Sequence, residues 1–255
     1  MSLTVALLTY NSRRHLEKVL KSVERVADEI VALDSGSTDE TVEILKQFGA
    51  RVFTRKFDNF VNQKNHLLSL CRTRWVLFLD DDEVLSEELA RSVKEAVREE
   101  KHAGYHLNRV TNYLGRWIRH AWNPDWQLRL AKRERCRWVG NGVHERLEVN
   151  GSLGYLQGEL LHYSYSSLSE HLRKIDLYST LYAEGAHRKG KRFSLLKLLT
   201  SPAGAFLRRF VLKRGFLDGF EGFLLSVMAS YYSFLKYAKL WEIEKNGPKG
   251  TGGSR

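Results

Sequence analysis

Short apolar runs alternate with longer amphipathic stretches through the first part of the chain. The apolar runs occupy residues 3–10, 30–33, 51–54 and 75–79. Runs of this length and character predict buried β-strands. Near-continuous apolar strands separated by helices are typical of a parallel sheet with helices on both faces, so the pattern predicts an α/β fold.

The stretches between these strands have the spacing of helices. The first apolar stripe consists of Leu16, Val19, Leu20 and Val23. Asn11 or Ser12 is placed to cap that helix. Residues 37–40, Ser-Thr-Asp-Glu, match a capping box and predict a second helix that extends to about residue 48. Residues 62–71 and 86–100 are predicted as the third and fourth helices.

The pattern changes after residue 101, where strands joined by turns replace the alternation. Strands are predicted at residues 104–114, 126–132 and 158–165, a helix at 167–189, and a helical, aromatic and basic segment at 193–241. We therefore divide the chain into two halves of one α/β domain at residues 1–100 and 101–190, a helical extension at 191–246, and a flexible Gly-rich tail at 247–255.

The charge of the chain favours an anionic partner. The formal net charge is +11 and the isoelectric point is about 9.6, which suits nucleic acid, anionic lipid or a phosphorylated substrate. The basic residues are richest at residues 187–192, at Arg208 and Arg209, and at Lys213 and Arg214. Any one of these runs is also explained by a solvated surface.

Three further observations predict a cytoplasmic protein. Cys71 and Cys136 form neither a metal-binding spacing nor a disulfide framework, which favours a reducing compartment. The apolar stretch at residues 3–10 lacks the basic region and cleavage site of a signal peptide. The longest late charge-free apolar stretch, at residues 222–235, is shorter than the ~20 residues that span a bilayer.

Carboxylates gather directly after the fourth predicted strand. Asp80, Asp81 and Asp82 follow the apolar residues 75–79. They could start a helix in a solvated loop, bind calcium, or hold a divalent ion against a diphosphate. Ligands bind beyond the carboxyl ends of parallel strands, and the Gly and distal Glu of an EF-hand loop are missing, so we favour the metal–diphosphate site.

Four motifs give this acidic cluster a specific context. They are LTVALLTYN at residues 3–11, VALDSGSTDET at 31–41, QKN at 63–65 and LDDDE at 79–83. In this order and spacing they resemble glycosyltransferase family 2, which implies a GT-A fold, a Rossmann-like, mostly parallel nucleotide-binding sheet with flanking helices. Later segments look like the subgroup of lipopolysaccharide inner-core β-1,4-glucosyltransferases. These segments are PDWQLRL at 124–130, VHE at 143–145, HYSY at 162–165 and GFLDG at 215–219.

The resemblance implies roles for residues that contact the nucleotide sugar. The candidates are Thr9, Tyr10, Asn11, Asp34, Lys64, Asp80, Asp81 and Arg129. Asp34 would accept a hydrogen bond from uracil N3–H, Lys64 matches a basic position near the nucleotide, and Asp80 would bind ribose or the sugar. The resemblance does not decide whether Asp81 joins the site or faces water. Arg129 would bind a diphosphate or an acceptor phosphate, unless it is a strand arginine that faces solvent.

The resemblance also implies a divalent metal, Mg²⁺ or Mn²⁺. Asp82 would bind the ion. His162 would complete the metal shell or contact the diphosphate, and the alternative is a histidine that only packs within its strand. With Asp80–Asp82, these residues would place the ion at the leaving diphosphate.

Sugar transfer with inversion needs a carboxylate that deprotonates the attacking hydroxyl. Glu145 is the candidate base because it resembles the acidic residue of the family at the acceptor edge. Asp125 is the alternative base, and the alternative explanation of Glu145 is a surface glutamate. His144 is either a neighbour of this site or a strand histidine.

We therefore expect a metal-dependent inverting glycosyltransferase that moves a hexose, with glucose favoured, from a UDP-sugar to a lipopolysaccharide-core or other lipid-linked acceptor. A capsule, another polysaccharide or a peptide is the alternative acceptor. A nucleotidyltransferase is a remote alternative because the N-terminal Gly-rich basic phosphate loop is missing. Binding of nucleic acid is not expected because no recognised motif for it is found.

The helical extension is predicted to associate with membranes. Residues 205–240 mix aromatic and aliphatic side chains with Arg and Lys, and helices of this kind lie in anionic membrane interfaces. This predicts a peripheral protein on the inner face of the cytoplasmic membrane. Packing against the catalytic domain and a homo-oligomer interface are the alternatives.

Overall fold

The computed structural model describes residues 2–140 and 145–246. The chain forms two compact units. The sheet unit comprises Met1–Val110 and Pro124–Tyr163, and the helical unit comprises Thr111–Asn123 and Ser164–Arg255. Two of the predictions, the histidine at 144 and the tail at 247–255, lie outside the described residues. The functional boundaries proposed at residues 100 and 190 stay a prediction.

The described strands follow the predicted order. They are β1 (Leu3–Thr9), β2 (Glu29–Asp34), β3 (Arg51–Thr54), β4 (Trp75–Leu79), β5 (Glu83–Leu85), β6 (Gly104–Tyr113), β7 (Arg116–Ile118), β8 (Trp126–Lys132), β9 (Cys136–Gly140), β10 (Glu145–Val149) and β11 (Leu153–Tyr165). Seven of the eleven match predicted strands. The β11 strand begins earlier than predicted, at Leu153. Gly158, the predicted start, lies inside the strand with φ +91°. A Cβ there would meet the Leu89 nitrogen at 2.3 Å, so only glycine fits.

The main sheet has a parallel and an antiparallel part. Its strand order is β3-β2-β1-β4-β8-β6-β11-β5, and β7 pairs with β6. The β1 strand runs parallel to β2 and β4, and β2 runs parallel to β3. The β8 strand runs antiparallel to both β4 and β6. A separate hairpin pairs β9 with β10. The predicted α/β class is confirmed, and the carboxyl ends of the parallel strands define one edge of the sheet.

The helices are α1 (Arg13–Val23), α2 (Thr41–Gln47), α3 (Phe60–Leu70), α4 (Glu87–Glu99), α5 (Leu168–Arg188), α6 (Leu195–Leu207) and α7 (Gly219–Asn246). A π-helical turn at Arg208–Leu212 and a 3₁₀ turn at Gly215–Asp218 separate the last two. The predicted α1 stripe is fully buried in the core of the sheet unit. Each buried Leu or Val of this kind contributes about 1.5–3 kcal/mol relative to an exposed one.

Two predicted helix caps are wrong. Ser12 precedes α1 but makes no side-chain cap hydrogen bond: its oxygen accepts the Tyr10 N–H, and its hydroxyl donates to Asp81. The predicted capping box fails because α2 begins only at Thr41 and its N-cap, Glu40, makes no side-chain cap. The Ser37 hydroxyl donates instead to Asp34. In both cases the hydroxyl donates to a carboxylate that lies at or after a strand end.

The helical unit buries one side of its helices and exposes much apolar surface on the other. Its clusters include Tyr113, Ile118 and Leu225 in one group and Ala183 with Leu240 in another. In the part of the chain covered by residues 2–140 and 145–246, no helix combines the length and hydropathy needed to cross a bilayer.

Candidate active site

The β1 and β2 strands end side by side at the carboxyl edge of the sheet. Thr9 pairs with Asp34 in the register, and Asp34 is buried. The Asp34 carboxylate accepts hydrogen bonds from Thr9 Oγ1 at 3.0 Å, from Ser37 Oγ at 2.5 Å, and from the backbone N–H groups of Gly36 and Ser37 at 2.8 Å each. A carboxylate offers about four acceptor positions, so these donors fill it. A uracil N3–H would have to replace or share one of them.

The loop after β1 is joined to the loop after β2. Asn11 has φ 51°, a left-handed conformation that Asn tolerates better than most residues. Its Oδ1 accepts from the Thr38 N–H at 2.9 Å, and its own N–H donates to Ser37 Oγ at 2.9 Å. Tyr10, between Thr9 and Asn11, is 62% exposed. The structure thus brings Thr9, Asn11 and Asp34 together and places the Tyr10 ring at the surface.

A charged network follows β4. Asp80 accepts from Arg129 Nη2 at 2.5 Å, and the same nitrogen donates to Glu83 Oε1 at 2.9 Å. Glu83 is fully buried, accepts the Asp80 N–H at 3.0 Å, and lies 3.4 Å from Arg109 Nη1. Arg129 is 5% exposed. The alternative of a solvent-facing strand arginine is therefore wrong, because Arg129 supplies the charge that compensates two carboxylates.

The electrostatics of this network follow from its partners. Burial raises the pKa of Asp80, but the positive charges of Arg129 and Lys64 outweigh it and hold that pKa below its ordinary value. Burial likewise lowers the pKa of Arg129, and the charges of Asp80 and Glu83 reverse the sign and raise it. Both groups are therefore ionised at neutral pH.

Lys64 links this network to the candidate base. Its Nζ donates to Glu145 Oε1 at 3.0 Å and lies 3.9 Å from Asp80 Oδ1. The same ammonium lies 4.2 Å from the ring centre of Trp138, within cation–π range. Lys64 is 6% exposed, so one buried cation holds together carboxylates that are far apart in sequence.

Asn65 explains how Glu145 reaches Lys64. The Asn65 amide donates to the Trp138 carbonyl at 2.8 Å and accepts the Trp138 N–H at 2.9 Å, which ties α3 to β9. In the β9–β10 hairpin, Glu145 pairs with Gly140. The hairpin therefore delivers Glu145 to the face of α3 that carries Lys64, and Asn65 is more than a polar residue of a helix surface.

A cleft of about 430 Å³ opens over these groups. Its lining residues include Lys64, Asp80, Arg109, Arg129 and Glu145. With Arg146, it thus contains the candidate base, the strand-end aspartate and four cations in one concave space. Such a concentration of charged groups in a cleft is typical of a site for a polar or anionic ligand.

Asp81 does not simply face water. It is half-buried and accepts a hydrogen bond from the Ser12 hydroxyl. Burial raises the pKa of Asp81 to about 6, and the negative charges of Asp82 and Asp80 act in the same direction. The side chain connects the end of β4 with the start of α1.

Asp82 and His162 form a pair. Their Oδ2 and Nε2 atoms are 3.4 Å apart, with side-chain exposures of 31% and 16%. The β5–β11 pairing, which aligns His162 with Glu83, and a hydrogen bond of 3.0 Å from the Tyr163 N–H to the Asp82 carbonyl fix this position. The carboxylate oxygen suits Mn²⁺ or Mg²⁺, whereas the imidazole nitrogen suits a transition metal and so favours Mn²⁺ over Mg²⁺. Among residues 2–140 and 145–246, no group of three or more His, Cys, Asp or Glu is placed to hold an ion.

Asp125, the alternative base, has its carboxylate engaged by neighbours. It accepts from Arg109 Nε at 2.8 Å and from Gln127 Nε2 at 2.7 Å. Arg109 and Gln127 both line the cleft. Asp125 thus contacts two residues of the cleft lining, whereas Glu145 lines the cleft itself.

The sequence reasoning assigned no role to two charged residues of the network. Glu83 belongs to the LDDDE motif, but nothing in the motif distinguishes a buried acid from an exposed one. Arg109 lies in a strand of alternating polar and apolar residues, so it resembled a surface residue. A buried carboxylate requires compensating cations. The arginines of the predicted strands were therefore the residues among which a partner of Glu83 could be expected.

The sheet, with a charged cleft at the ends of its strands, has the architecture expected for a GT-A fold. Residues 4–150 match the family described as Glycosyl transferase family 2. That match covers more than half of the chain. The chain belongs to glycosyltransferase family 2.

Relatives match almost the full chain. An uncharacterized glycosyltransferase of Rickettsia typhi is 29% identical over 250 residues, which cover 93% of this chain and 86% of that protein. The lipopolysaccharide core biosynthesis glycosyltransferase LpsC of Rhizobium meliloti is 28% identical over 255 residues, which cover 95% and 93%. Similarity to both extends through the helical unit.

One solved structure confirms the fold. The glucosyl-3-phosphoglycerate synthase of Mycobacterium tuberculosis, in complex with phosphoglyceric acid, superposes with a TM-score of 0.50 at 17% identity. The alignment covers 76% of this chain and 81% of that one. The GT-A fold expected from the sequence is confirmed.

Proposed function

We propose that this protein is an inverting, metal-dependent glycosyltransferase that moves a hexose from a UDP-sugar to a lipid-linked glycan of the lipopolysaccharide-core type. Membership of family 2 supports sugar transfer, and the similarity to LpsC supports the acceptor class. The favoured hexose is glucose. A capsule, another polysaccharide or a peptide is the alternative acceptor.

The observation that carries the chemistry is the contact of one ammonium with two carboxylates. Lys64 Nζ lies 3.0 Å from Glu145 and 3.9 Å from Asp80. Residues with the proposed roles of base and donor-sugar ligand therefore border the same cleft. Acceptor and donor have to meet between two such groups.

In the proposed reaction, an acceptor hydroxyl oxygen attacks the anomeric carbon of the donor sugar. The bond from that carbon to the diphosphate oxygen breaks, and UDP departs with the bonding electron pair. Glu145 takes the hydroxyl proton. Because Lys64 holds Oε1, Oε2 is the oxygen assigned to accept this proton.

Asp82 and His162 would hold the divalent ion, whose charge would offset that of the departing diphosphate. Arg129 and Lys64 provide fixed positive charge nearby, and the Asp80 carboxylate orients the sugar or ribose hydroxyls. The charged partners of Asp80 hold it in position before the donor binds.

The test is a panel of UDP-hexoses assayed for UDP release with Mn²⁺, with Mg²⁺ and with a chelator. We expect UDP-glucose to be preferred and the chelator to abolish release. Asp82→Asn should lose metal-dependent UDP binding, whereas Asp176→Asn, at a side chain that is 76% exposed, should not. UDP binding that is equally tight with chelator present would exclude the metal role.

The acceptor class is tested separately by transfer of labelled glucose to isolated lipopolysaccharide core, capsule fragments and peptide. The lipopolysaccharide-type core should be labelled in preference to the others. Labelling of a peptide or of capsule alone would replace the proposed acceptor with that alternative.

We further propose that the helical unit docks on an anionic bilayer, on its cytoplasmic side. Exposed apolar residues border exposed cations on the segment that runs from the end of α6 to the start of α7. The apolar residues are Leu207, Val211, Leu212, Phe216, Leu217 and Phe220. The cations are Arg208, Lys213 and Arg214. Phe206, Arg209 and Phe210 are partly buried within the unit, where Arg209 lies over Trp122, so they would contribute less to docking.

Co-sedimentation with vesicles tests this docking. Anionic vesicles should bind the protein more than neutral ones, and salt should weaken the difference because exposed charges are screened beyond ~10 Å at 0.1 M. The double variant Leu212→Ser, Phe216→Ser should bind vesicles less than the control double variant Leu153→Ser, Tyr155→Ser. Both control side chains are exposed in the sheet unit. Recovery in the supernatant under every condition would exclude docking, and light scattering would then test for an oligomer.

A further inference from the structure

Three aromatic rings form a patch on the sheet unit. His106 and Tyr155 are stacked, with ring centres 5.0 Å apart and 18° between their planes. Trp126 meets Tyr155 edge to face at 4.9 Å and 80°. We refer to His106, Trp126 and Tyr155 as the aromatic shelf. Tyr155 is 64% exposed and Trp126 is 42% exposed, so the shelf offers aromatic surface to solvent.

The sheet holds the shelf in place. Trp126 lies on β8, His106 on β6 and Tyr155 on β11, and these three strands are consecutive in the sheet. Gly154 permits the close approach, because a Cβ at this position would meet the Tyr105 ring at 2.8 Å. Rings fixed on adjacent strands lose little conformational freedom when a ligand binds.

The shelf is continuous with the cleft. His106 and Trp126 line the cleft together with Arg109, Gln127 and Glu145. Arg109 and Gln127 provide N–H donors next to the aromatic surface, and both are fixed by hydrogen bonds to Asp125. An apolar face with a few oriented polar groups beside it is typical of a small-molecule site.

We propose that the aromatic shelf binds a pyranose ring of the acceptor glycan, next to the residue that receives the transferred sugar. A pyranose has a face of C–H groups that packs against the negative face of an aromatic ring. Its hydroxyls point outward around the ring, where they meet the donors of Arg109 and Gln127. The assignment of this sugar to the acceptor rests on the proposed function.

The same rings would be more deeply buried if they only stabilised the sheet. In the sheet unit, aromatic residues that serve the core are almost fully covered: Trp75 is 1% exposed and Phe78 3% exposed. Trp126 and Tyr155 instead expose large aromatic surface beside a charged cleft. Large exposed aromatic patches mark binding sites more often than core packing.

The test is a titration of the full chain, without nucleotide, with a β-linked glucose disaccharide, followed by saturation-transfer NMR. Sorbitol, which has the hydroxyls but no ring, is the control ligand. We expect millimolar binding of the disaccharide that is about fivefold to tenfold weaker in Tyr155→Ala and in Trp126→Ala. Tyr155→Phe and Trp126→Phe should retain it because they keep an aromatic face.

Phe57→Ala is the matched control, because Phe57 is an exposed ring of the sheet unit, 46% exposed, outside the cleft. It should bind the disaccharide as the unaltered protein does. Absence of disaccharide binding, equal binding of sorbitol, or equal loss in Phe57→Ala would each overturn the proposal. Thermal unfolding of every variant identifies any loss that comes from misfolding, and the Phe variants then provide the comparison.

The outcomes also separate the shelf from the proposed function. In one outcome, UDP-sugars prove inert while the shelf variants still weaken disaccharide binding. That result would contradict the proposed transfer from UDP-sugars and support the carbohydrate site. If UDP-sugars are turned over while the shelf variants bind the disaccharide as the unaltered protein does, the proposed transferase activity is supported and the shelf proposal is contradicted. A shelf variant that binds UDP normally but transfers poorly to a glycan acceptor supports both.

Discussion

The two compact units each bury a carboxylate, and they satisfy it in different ways. In the sheet unit, Glu83 is fully buried against the guanidinium groups of Arg129 and Arg109. In the helical unit, Asp218 is 3% exposed and accepts the backbone N–H groups of residues 119–121 at 2.7–3.1 Å. It also lies 3.0 Å from His120 Nδ1.

The difference separates a site from a structural anchor. Asp218 holds the loop at residues 119–121 in place through three backbone N–H groups. Backbone N–H groups have fixed positions and carry no net charge, so they offer none to a ligand. Arg129 and Arg109 line a cleft and carry charge that an anionic ligand can share. Both acids lie in short motifs, LDDDE and GFLDG, and their partners separate their roles.

The largest expected effect is on catalysis in the sheet unit. Glu145→Gln keeps the shape of the side chain and removes its basic oxygen, so transfer should slow by roughly 10²–10⁴ while UDP binding is retained. The free energy of unfolding should fall, because the buried Lys64 loses its nearest carboxylate. Single-turnover transfer and UDP calorimetry measure this. Glu134→Gln, at a side chain that is 84% exposed, is the control. Near-normal turnover of Glu145→Gln would move the role to Asp125.

The next effect is on stability in the helical unit. Asp218→Ala leaves three backbone N–H groups without their acceptor, and unfolding should become easier by about 3 kcal/mol or more. Chemical denaturation gives the number, and Asp176→Ala provides the exposed control. UDP affinity measured under native conditions should not change. A stability equal to that of the unaltered chain would contradict the anchoring role.

A pH effect is expected from His171, another buried polar group of the helical unit. Burial, with the charges of Arg209 and Lys174, lowers the pKa of His171 to about 4. As pH falls from 6.5, the unfolded chain takes up the proton first, so stability should be lost progressively down to about pH 4. The loss should be on the order of 2 kcal/mol, with allowance for residual solvent contact.

His171→Gln should therefore have a shallower pH dependence of unfolding than the unaltered chain between pH 6.5 and 4, and His66→Gln, at an exposed position, should not. Parallel curves for the His171 variant and the unaltered chain would show that other groups cause the acid sensitivity. Tyr113, whose hydroxyl lies 2.9 Å from His171 Nδ1, allows a second check by Tyr113→Phe.

The smallest expected effect separates two roles of Asp34. Asp34→Ala should weaken UDP binding about fivefold, since one hydrogen bond to a neutral group contributes on the order of 1 kcal/mol. Thr9→Val removes one donor to Asp34 but keeps its carboxylate. It should lower stability slightly and weaken UDP binding less than Asp34→Ala does, because the carboxylate that would accept from uracil remains. Unchanged UDP affinity in Asp34→Ala would restrict that residue to holding its turn.

Periodicity predicted the parallel strands well because burial on both faces imposes a local signal. The runs at β1, β2, β3 and β4 and the α1 stripe are all where the pattern placed them. The caps failed because Ser12 and Ser37 had a choice of partners. Local sequence predicts that a serine will be hydrogen-bonded, but it does not tell which groups the fold brings within reach of its hydroxyl.

The sequence by itself determined the α/β class, the strand ends that carry Thr9, Asp34 and Asp80, and the resemblance to the family. The tertiary structure alone decided that Glu145 meets Lys64, that Arg129 is buried between two acids, and that Tyr155 lies beside Trp126. The physical reason is range. Strand and helix patterns arise from neighbours along the chain, whereas the cleft is built from charges and rings that only the packed sheet and hairpin bring within a few ångströms.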